Sequence, residues 1–324
     1  MRIAGCNACG NFVSVECHRA DSGVLAVREP ERNIIEIKGG LGNQMFQIAL
    51  AKSFQMKKIP VEVDYSYYTS GQQERPQEIK LFKNVDIPEA AECVSARMRG
   101  YGYHDSVPTK VLRKLARRKG HIYQEDVKKG YQPEVFELKN TYISGYWQCE
   151  RYFAEYRSDI LEMFCFPEER ANNNCKVIGE QIREDRSAVA LHVRRGDYLS
   201  EKYENVYRDV CTLTYYNNAI EAMYREKGNC HFYVFSDDIS WCKRNFGEKN
   251  FFYVSCNYGM DSAFDIWLMS LCRNNIVANS SFSWWGAWLN QNPDKLVMVP
   301  ERWFHHIDIA DQICGDWIKI PIGS

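Results

Sequence analysis

The chain has no apolar run of the ~18 residues that a membrane-crossing helix needs, and no shorter apolar stretch of signal-peptide type. It has almost no net charge, −1 over 324 residues, which gives no basis for general nucleic-acid binding. No two aspartates stand two residues apart, so an Asp-x-Asp device for holding a divalent metal is missing. The Gly-x-Gly-x-x-Gly fingerprint is missing too, which disfavours a dinucleotide-dependent oxidoreductase. Regular cysteine pairing is absent. Thirteen scattered cysteines, an odd count, point to reduced thiols and a cytoplasmic protein. Internal repeats and low-complexity tracts are also absent.

Residues 1–33 show no core pattern and are expected to form an unstructured leader. Cys6, Cys9, Cys17 and His18 do not make a zinc site on spacing, because the last two are adjacent rather than separated.

What the chain does have is organised around residues 189–198. Val189-Ala190-Leu191 opens a buried strand, and His192-Val193-Arg194-Arg195-Gly196-Asp197 ends it in two guanidiniums, a turn glycine and a carboxylate. Ligands of open α/β sheets sit beyond the carboxyl ends of strands. A guanidinium fork there suits phosphate oxygens. Side chains alternate along a strand, so His192 and Arg194 share one face and Arg195 takes the other. His192 and Arg194 are therefore expected to face the ligand, and Arg195 mainly to hold the loop.

Two further stretches carry the same kind of chemistry. A strand over 34–37 runs into Gly39, Gly40 and Gly42, then into a helix from about 44 to 56 and a strand over 61–64. Asn43 is placed at that helix's N-cap, where it either only caps or also lines the cleft. Late in the chain, Asn279-Ser280-Ser281-Phe282 opens a helix through Trp288, whose N–H groups and dipole favour an anion.

Between them, the basic segment Lys110, Arg113, Lys114, Arg117, Arg118 and Lys119 reads as a solvated helix face or as a loose contact with an anionic membrane. The aromatics of 142–148 serve either core packing or sugar stacking. A polar break at 168–176, with Asn172-Asn173-Asn174, divides the chain into 34–170 and 171–324. Beyond it, strands at 231–235, 251–254, 275–278 and 296–299 alternate with helices, the pattern of a parallel, doubly wound sheet. Asp237 and Asp238 end the first of these strands as ligand contacts or only as caps.

His192-Val193-Arg194-Arg195-Gly196-Asp197 resembles the donor-binding motif of the α-1,2-fucosyltransferases, glycosyltransferase family 11. Residues 39–47 and 279–288 resemble that family's other signatures, in the same order. The resemblance implies an α/β fold of GT-B type, with two Rossmann-like domains and a donor-binding cleft between them. Residues 34–170 would be the acceptor side, and 171–324 would bind GDP-fucose. It implies inverting transfer of L-fucose from GDP-β-L-fucose to the 2-hydroxyl of a terminal β-galactoside. The acceptor would be of lactose or N-acetyllactosamine type, or an O-antigen or capsule repeat.

In that reading Arg194, Asp197 and Asn43 are catalytic. The donor is held by Gly40, Gly42, His192, Arg195, Asp237, Asp265, Asn279, Ser280, Ser281 and Phe282. Asp265, ahead of Ser281, would read guanine by analogy with core and protein-O fucosyltransferases, with Asp261 as the fallback. No metal or cofactor is expected. The base that deprotonates the acceptor stays open between Asp197, Glu201 and no base at all. The competing reading is a non-catalytic sugar- or nucleotide-binding protein on a degenerate transferase fold.

Overall fold

The computed structural model describes residues 31–71, 75–100, 102–103, 121–196, 210–305 and 311–323. Most of the expected leader, the basic segment at 110–119, Asp197 and Glu201 lie outside the described residues. Residues Arg32–Ser324 make one compact unit built on two parallel sheets.

Order begins earlier than the apolar pattern indicates. Asn33 belongs to the first strand, β1 (Asn33–Glu36), and is buried. Its amide donates to the Leu138 carbonyl at 2.8 Å and accepts from the Thr141 N–H at 3.1 Å. Arg32, also assigned to the leader, pairs with Glu62 at 2.9 Å. The leader boundary at 33 is thus corrected: a polar residue satisfied by backbone partners can start a buried strand.

The four-stranded sheet has the order β2-β1-β4-β3, with β2 at Val61–Asp64, β3 at Ile122–Gln124 and β4 at Tyr142–Ser144. Helix α1 (Leu41–Met56) connects β1 to β2. It starts three residues before the expected Gln44. Its N-cap is Gly40, in extended conformation with ψ 174° and with no side chain to cap it; the Glu78 carboxylate accepts from the Leu41 N–H instead. Asn43 therefore lies inside the first turn, which corrects its assignment as the cap. Helix α2 (Glu92–Arg99) places Arg99 beneath the sheet's carboxyl end, where Nη1 donates to Asp64 Oδ2 at 2.9 Å and to the Tyr142 hydroxyl at 3.0 Å.

Helices α3 (Arg157–Met163) and α4 (Asn173–Glu184) lead to the second sheet. Asn172 caps α4 by accepting from the Cys175 N–H at 2.9 Å. The sheet contains β5 (Ala188–Val193), β6 (His231–Ser236), β7 (Phe251–Val254), β8 (Asn274–Ile276), β9 (Val297–Pro300) and β10 (Ile318–Ile320), in the order β10-β9-β8-β5-β6-β7. Every residue of β5 is buried, as a central parallel strand covered on both faces requires. The helices are α5 (Leu213–Lys227), α6 (Ile239–Phe246), α7 (Ala263–Leu271) and α8 (Ser281–Leu289). Strand succession runs from β5 outward through β6 and β7 on one side, and from β8 through β9 and β10 on the other. The reversal between β5 and β8 opens a crevice at their carboxyl ends.

The two sheets use separate stretches of the chain, β1–β4 and β5–β10, yet one hydrophobic core runs through both. Its centre is aromatic. Phe46 of α1 meets Trp284 and Trp285 of α8 at centroid distances of 4.5 and 5.0 Å, and Phe153 stacks on Trp285 at 5.5 Å. This contact holds α1 and α8 together, so their N-termini open onto the same cleft. Among the described residues, no helix is long and apolar enough to cross a membrane.

Candidate active site

A cleft of about 920 Å³ lies at the carboxyl end of β5 and β8 and runs to the N-terminus of α1. Gly40, Gly42, Asn43, His192, Arg194, Asp237, Asp265, Asn279, Ser280, Ser281 and Phe282 all line it. The structure thus brings together stretches more than 230 residues apart in the chain.

Two helix N-termini frame the cleft. Gly42 packs against Ser281 so tightly that a Cβ on it would stand 2.6 Å from the Ser281 carbonyl carbon. The Trp285 indole donates to the Gly42 carbonyl at 2.9 Å. Ser280 caps α8, its hydroxyl accepting from the Phe282 N–H at 3.4 Å. First-turn N–H groups of a helix lack intrahelical acceptors, and the dipole adds positive potential. The convergence of α1 and α8 brings two positive helix ends to this end of the cleft, where the Glu78 carboxylate accepts from the Leu41 N–H of α1.

Arg194 adds a full charge. Its Nη1 pairs with Asp237 Oδ2 at 3.0 Å. Asp237 also accepts the Arg195 and Gly196 backbone N–H groups at 2.9 and 3.0 Å. So Asp237, expected to contact ligand or to cap, clamps the loop that carries Arg194. Asp238 is the cap, accepting from the Trp241 N–H of α6 at 2.9 Å.

Arg195 leaves the donor-binding set. Strand alternation sends it to the opposite face, where its guanidinium lies 4.3 Å from the Trp241 ring centre and pairs with Asp238 at 3.5 Å. It does not line the cleft.

The cleft also holds a buried imidazole and a buried carboxyl, His192 and Asp265. Burial, with Arg194 nearby, pushes the His192 pKa down to about 3, so the ring is neutral. It lies 5.8 Å from the Phe282 ring. Burial pushes the Asp265 carboxyl up to about 7, against the hydrogen bond that it accepts from Asn257 Nδ2 at 2.7 Å. Asn172 fixes Asn257 in turn by donating to its Oδ1 at 3.0 Å. Asp261, the fallback for Asp265, is exposed and does not line the cleft. Asn279 donates to the Trp303 carbonyl at 3.1 Å, which ties the motif to the segment after β9.

The glycosyl transferase family 11 profile matches residues 118–319. The chain belongs to glycosyl transferase family 11. An O-antigen biosynthesis glycosyltransferase, WbnK, from Escherichia coli is 30% identical over 88% of this chain and 99% of its own. An alpha-1,2-colitosyltransferase from Escherichia coli is 29% identical over 89% of this chain and 98% of its own. The galactoside 2-alpha-L-fucosyltransferase SEC1 of Bos taurus is 25% identical over 45% of this chain and 41% of its own.

Family motifs do not account for the whole cleft. Gln148 lines it and donates to Asn43 Oδ1 at 2.7 Å, so Asn43 is positioned by the loop after β4. Arg75 and Glu78 also line it. They arrive because Gln44 of α1 accepts from the Glu78 and Ile79 N–H groups at 3.0 and 2.9 Å and donates to the Pro76 carbonyl at 2.9 Å. Burial raises the Glu78 pKa above the ordinary carboxylate range. Gln148 falls in the stretch 142–148 that the sequence singles out, whereas no sequence signal marked Arg75 and Glu78. Their place depends on tertiary contacts.

Proposed function

We propose that the protein transfers L-fucose from GDP-β-L-fucose to the 2-hydroxyl of a terminal β-galactoside, with inversion and without a metal ion. The fold would be of GT-B type, with 34–170 as the acceptor half and 171–324 as the donor half. The observation that carries the reading is the convergence of Arg194 and the α1 and α8 N-termini in one cleft with Asp265. Such a cleft offers a cation and two helix dipoles to a diphosphate, and a carboxylate to a base that presents paired N–H donors.

As the fucosyl bond breaks, negative charge grows on the diphosphate leaving group. Arg194 and the first-turn N–H groups are fixed in place beforehand, so they stabilise that charge more in the transition state than in the ground state. Asp237 restrains the arginine, which limits the reorganisation required. The Asp265 carboxylate, once ionised, accepts from guanine N1–H and the 2-amine. Neutral His192 and Phe282 supply ring surface beside it. Ten described cysteines are free thiols, which supports a reducing, cytoplasmic setting.

A second donor sugar has a specific basis. One relative is named an alpha-1,2-colitosyltransferase. Colitose is fucose without its 3-hydroxyl, so the same nucleotide site serves either sugar.

The test is turnover in excess EDTA with lactose as acceptor and GDP-fucose or GDP-colitose as donor, with the product linkage read by NMR. An α-1,2-linked product from one of the donors is expected. No transfer from either donor, or activity that depends on added manganese, contradicts the proposal. Thermal shift with GDP, NAD and lactose separates the competing classes. Stabilisation by GDP without any turnover would favour a non-catalytic binding protein.

A further inference from the structure

A second cavity, about 580 Å³, opens at the carboxyl ends of β1, β3 and β4. Its position repeats that of the donor cleft. In the sheet order β2-β1-β4-β3, strand succession reverses between β1 and β4, and the cavity lies at that reversal. Glu36 ends β1, Ser144 ends β4 and Gln124 ends β3, and all three line the cavity.

Its floor is a charge-balanced polar cluster. Lys38 Nζ donates to Glu36 Oε2 at 2.6 Å and to the Ser144 hydroxyl at 2.9 Å. Ser144 donates to Glu36 Oε2 at 2.6 Å, and the Tyr103 hydroxyl donates to Glu36 Oε1 at 2.8 Å. Burial pushes the Glu36 pKa up, but Lys38, Ser144 and Tyr103 together hold it below the ordinary range, so it is ionised. Arg99, the other lining cation, is paired with buried Asp64 at 2.9 Å. Among the described residues, the lining therefore carries ionic groups but no surplus charge. Tyr67 and Tyr103 supply aromatic faces.

The cavity adjoins the donor cleft. Tyr67 lines both. Lys38 of the cavity sits 5.8 Å from the ring centre of Tyr146, which lines the cleft. A charge-balanced pocket with tyrosine faces and fixed donors and acceptors suits a neutral polyhydroxylated ring better than an anion or a cation.

We propose that this cavity holds the acceptor as a neutral saccharide, with Gln124 and Lys38 meeting its hydroxyls and the Glu36 carboxylate neutralising Lys38, so that the cavity does not attract acidic sugars. The inference rests on the transferase reading of the adjoining cleft. Its content is the place and the charge selectivity of the acceptor.

Two variants test it, each checked for folding by its melting temperature. Gln124→Ala removes an exposed side chain at the end of a strand. It should raise the KM for lactose several-fold while GDP affinity stays the same. Glu36→Gln leaves Lys38 uncompensated and turns the floor cationic. Wild-type protein should prefer lactitol over lactobionate, its carboxylated open-chain counterpart, by roughly tenfold or more, and Glu36→Gln should shrink or invert that preference. Where Glu36→Gln does not fold, Gln124→Ala decides alone. Saturation-transfer NMR with lactose and GDP reads binding without requiring transfer. A wild-type protein that binds lactose but transfers nothing overturns the function and leaves the cavity standing. Folded variants with unchanged lactose KM, lactose binding and lactobionate preference overturn the cavity and leave the function standing. Absence of lactose binding to wild-type protein also overturns the cavity assignment.

Discussion

Gly42 of α1 rests directly on the backbone of Ser281, the first residue of α8. The missing side chain lets the two helix N-termini that frame the cleft approach closely. A methyl group at Gly42 would meet backbone atoms at 2.6 Å, and backbone cannot rotate away as a side chain can. Gly42→Ala should therefore separate the helices, at a cost of ~1–3 kcal/mol typical of overpacking. Calorimetric melting should show a drop of several degrees, and GDP affinity should fall with it. A variant with wild-type stability and wild-type GDP affinity would mean that the contact does not position the site.

Arg194 and Arg195 should respond differently to the same substitution. Arg194→Lys keeps the charge but loses the fork held by Asp237, so turnover at saturating donor should fall ~100- to 1000-fold. Arg195→Lys should leave turnover within a few-fold and lower the melting temperature, because its contacts are with Trp241 and Asp238. The reverse outcome in folded proteins would place Arg195 at the diphosphate.

Asp265 makes stability and ligand affinity run in opposite directions with pH. Its folded-state pKa, about 7, lies above the unfolded value, so its favourable contribution is full below pH ~4 and is lost as pH rises towards 7. Ionised Asp265 is the form that accepts from guanine, so GDP should bind more tightly as pH rises through 7. Titration calorimetry from pH 5.5 to 8.5 should show this rise and a proton released on binding below pH 7. Asp265→Asn should flatten both profiles. A wild-type affinity that is flat over this range would remove Asp265 from the base site.

Residues Met1–Glu31 should be dispensable. Arg32 onward forms one compact unit that starts with the Arg32–Glu62 pair and the buried Asn33. Deleting Met1–Glu31 should leave the melting temperature and the turnover unchanged. Loss of either would show that the segment contributes to the folded protein.

The parts of the fold that were legible in the sequence are those encoded by short-range pattern. Strand β5 was readable because six buried residues in succession leave no amphipathic alternative. Continuing its period two past Val193 separates Arg194, which lines the cleft, from Arg195, which does not. The start of α8 was readable because Ser280 is a side-chain cap. The start of α1 was not, since Gly40 caps through its backbone conformation while Asn43, a better cap by residue type, lies within the helix. Strands β3 and β10 are three residues long and largely exposed, so no buried run marks them, unlike the equally short β4 and β8. The part of the cleft lined by Arg75 and Glu78 was not readable either. Arg75 and Glu78 reach the cleft because the amide of Gln44 holds their segment, and no local pattern records a contact of that kind.

The central claim is that the cleft is a guanine nucleotide site read by Asp265. The most direct measurement is calorimetric titration of wild-type protein and Asp265→Asn with GDP, ADP and UDP at pH 8. The account predicts that GDP binds wild-type protein at least about tenfold more tightly than ADP or UDP, and that Asp265→Asn loses that preference through weaker GDP binding, by on the order of 2 kcal/mol. Equal affinity for the three nucleotides, or an undiminished GDP preference in a folded Asp265→Asn, would contradict it.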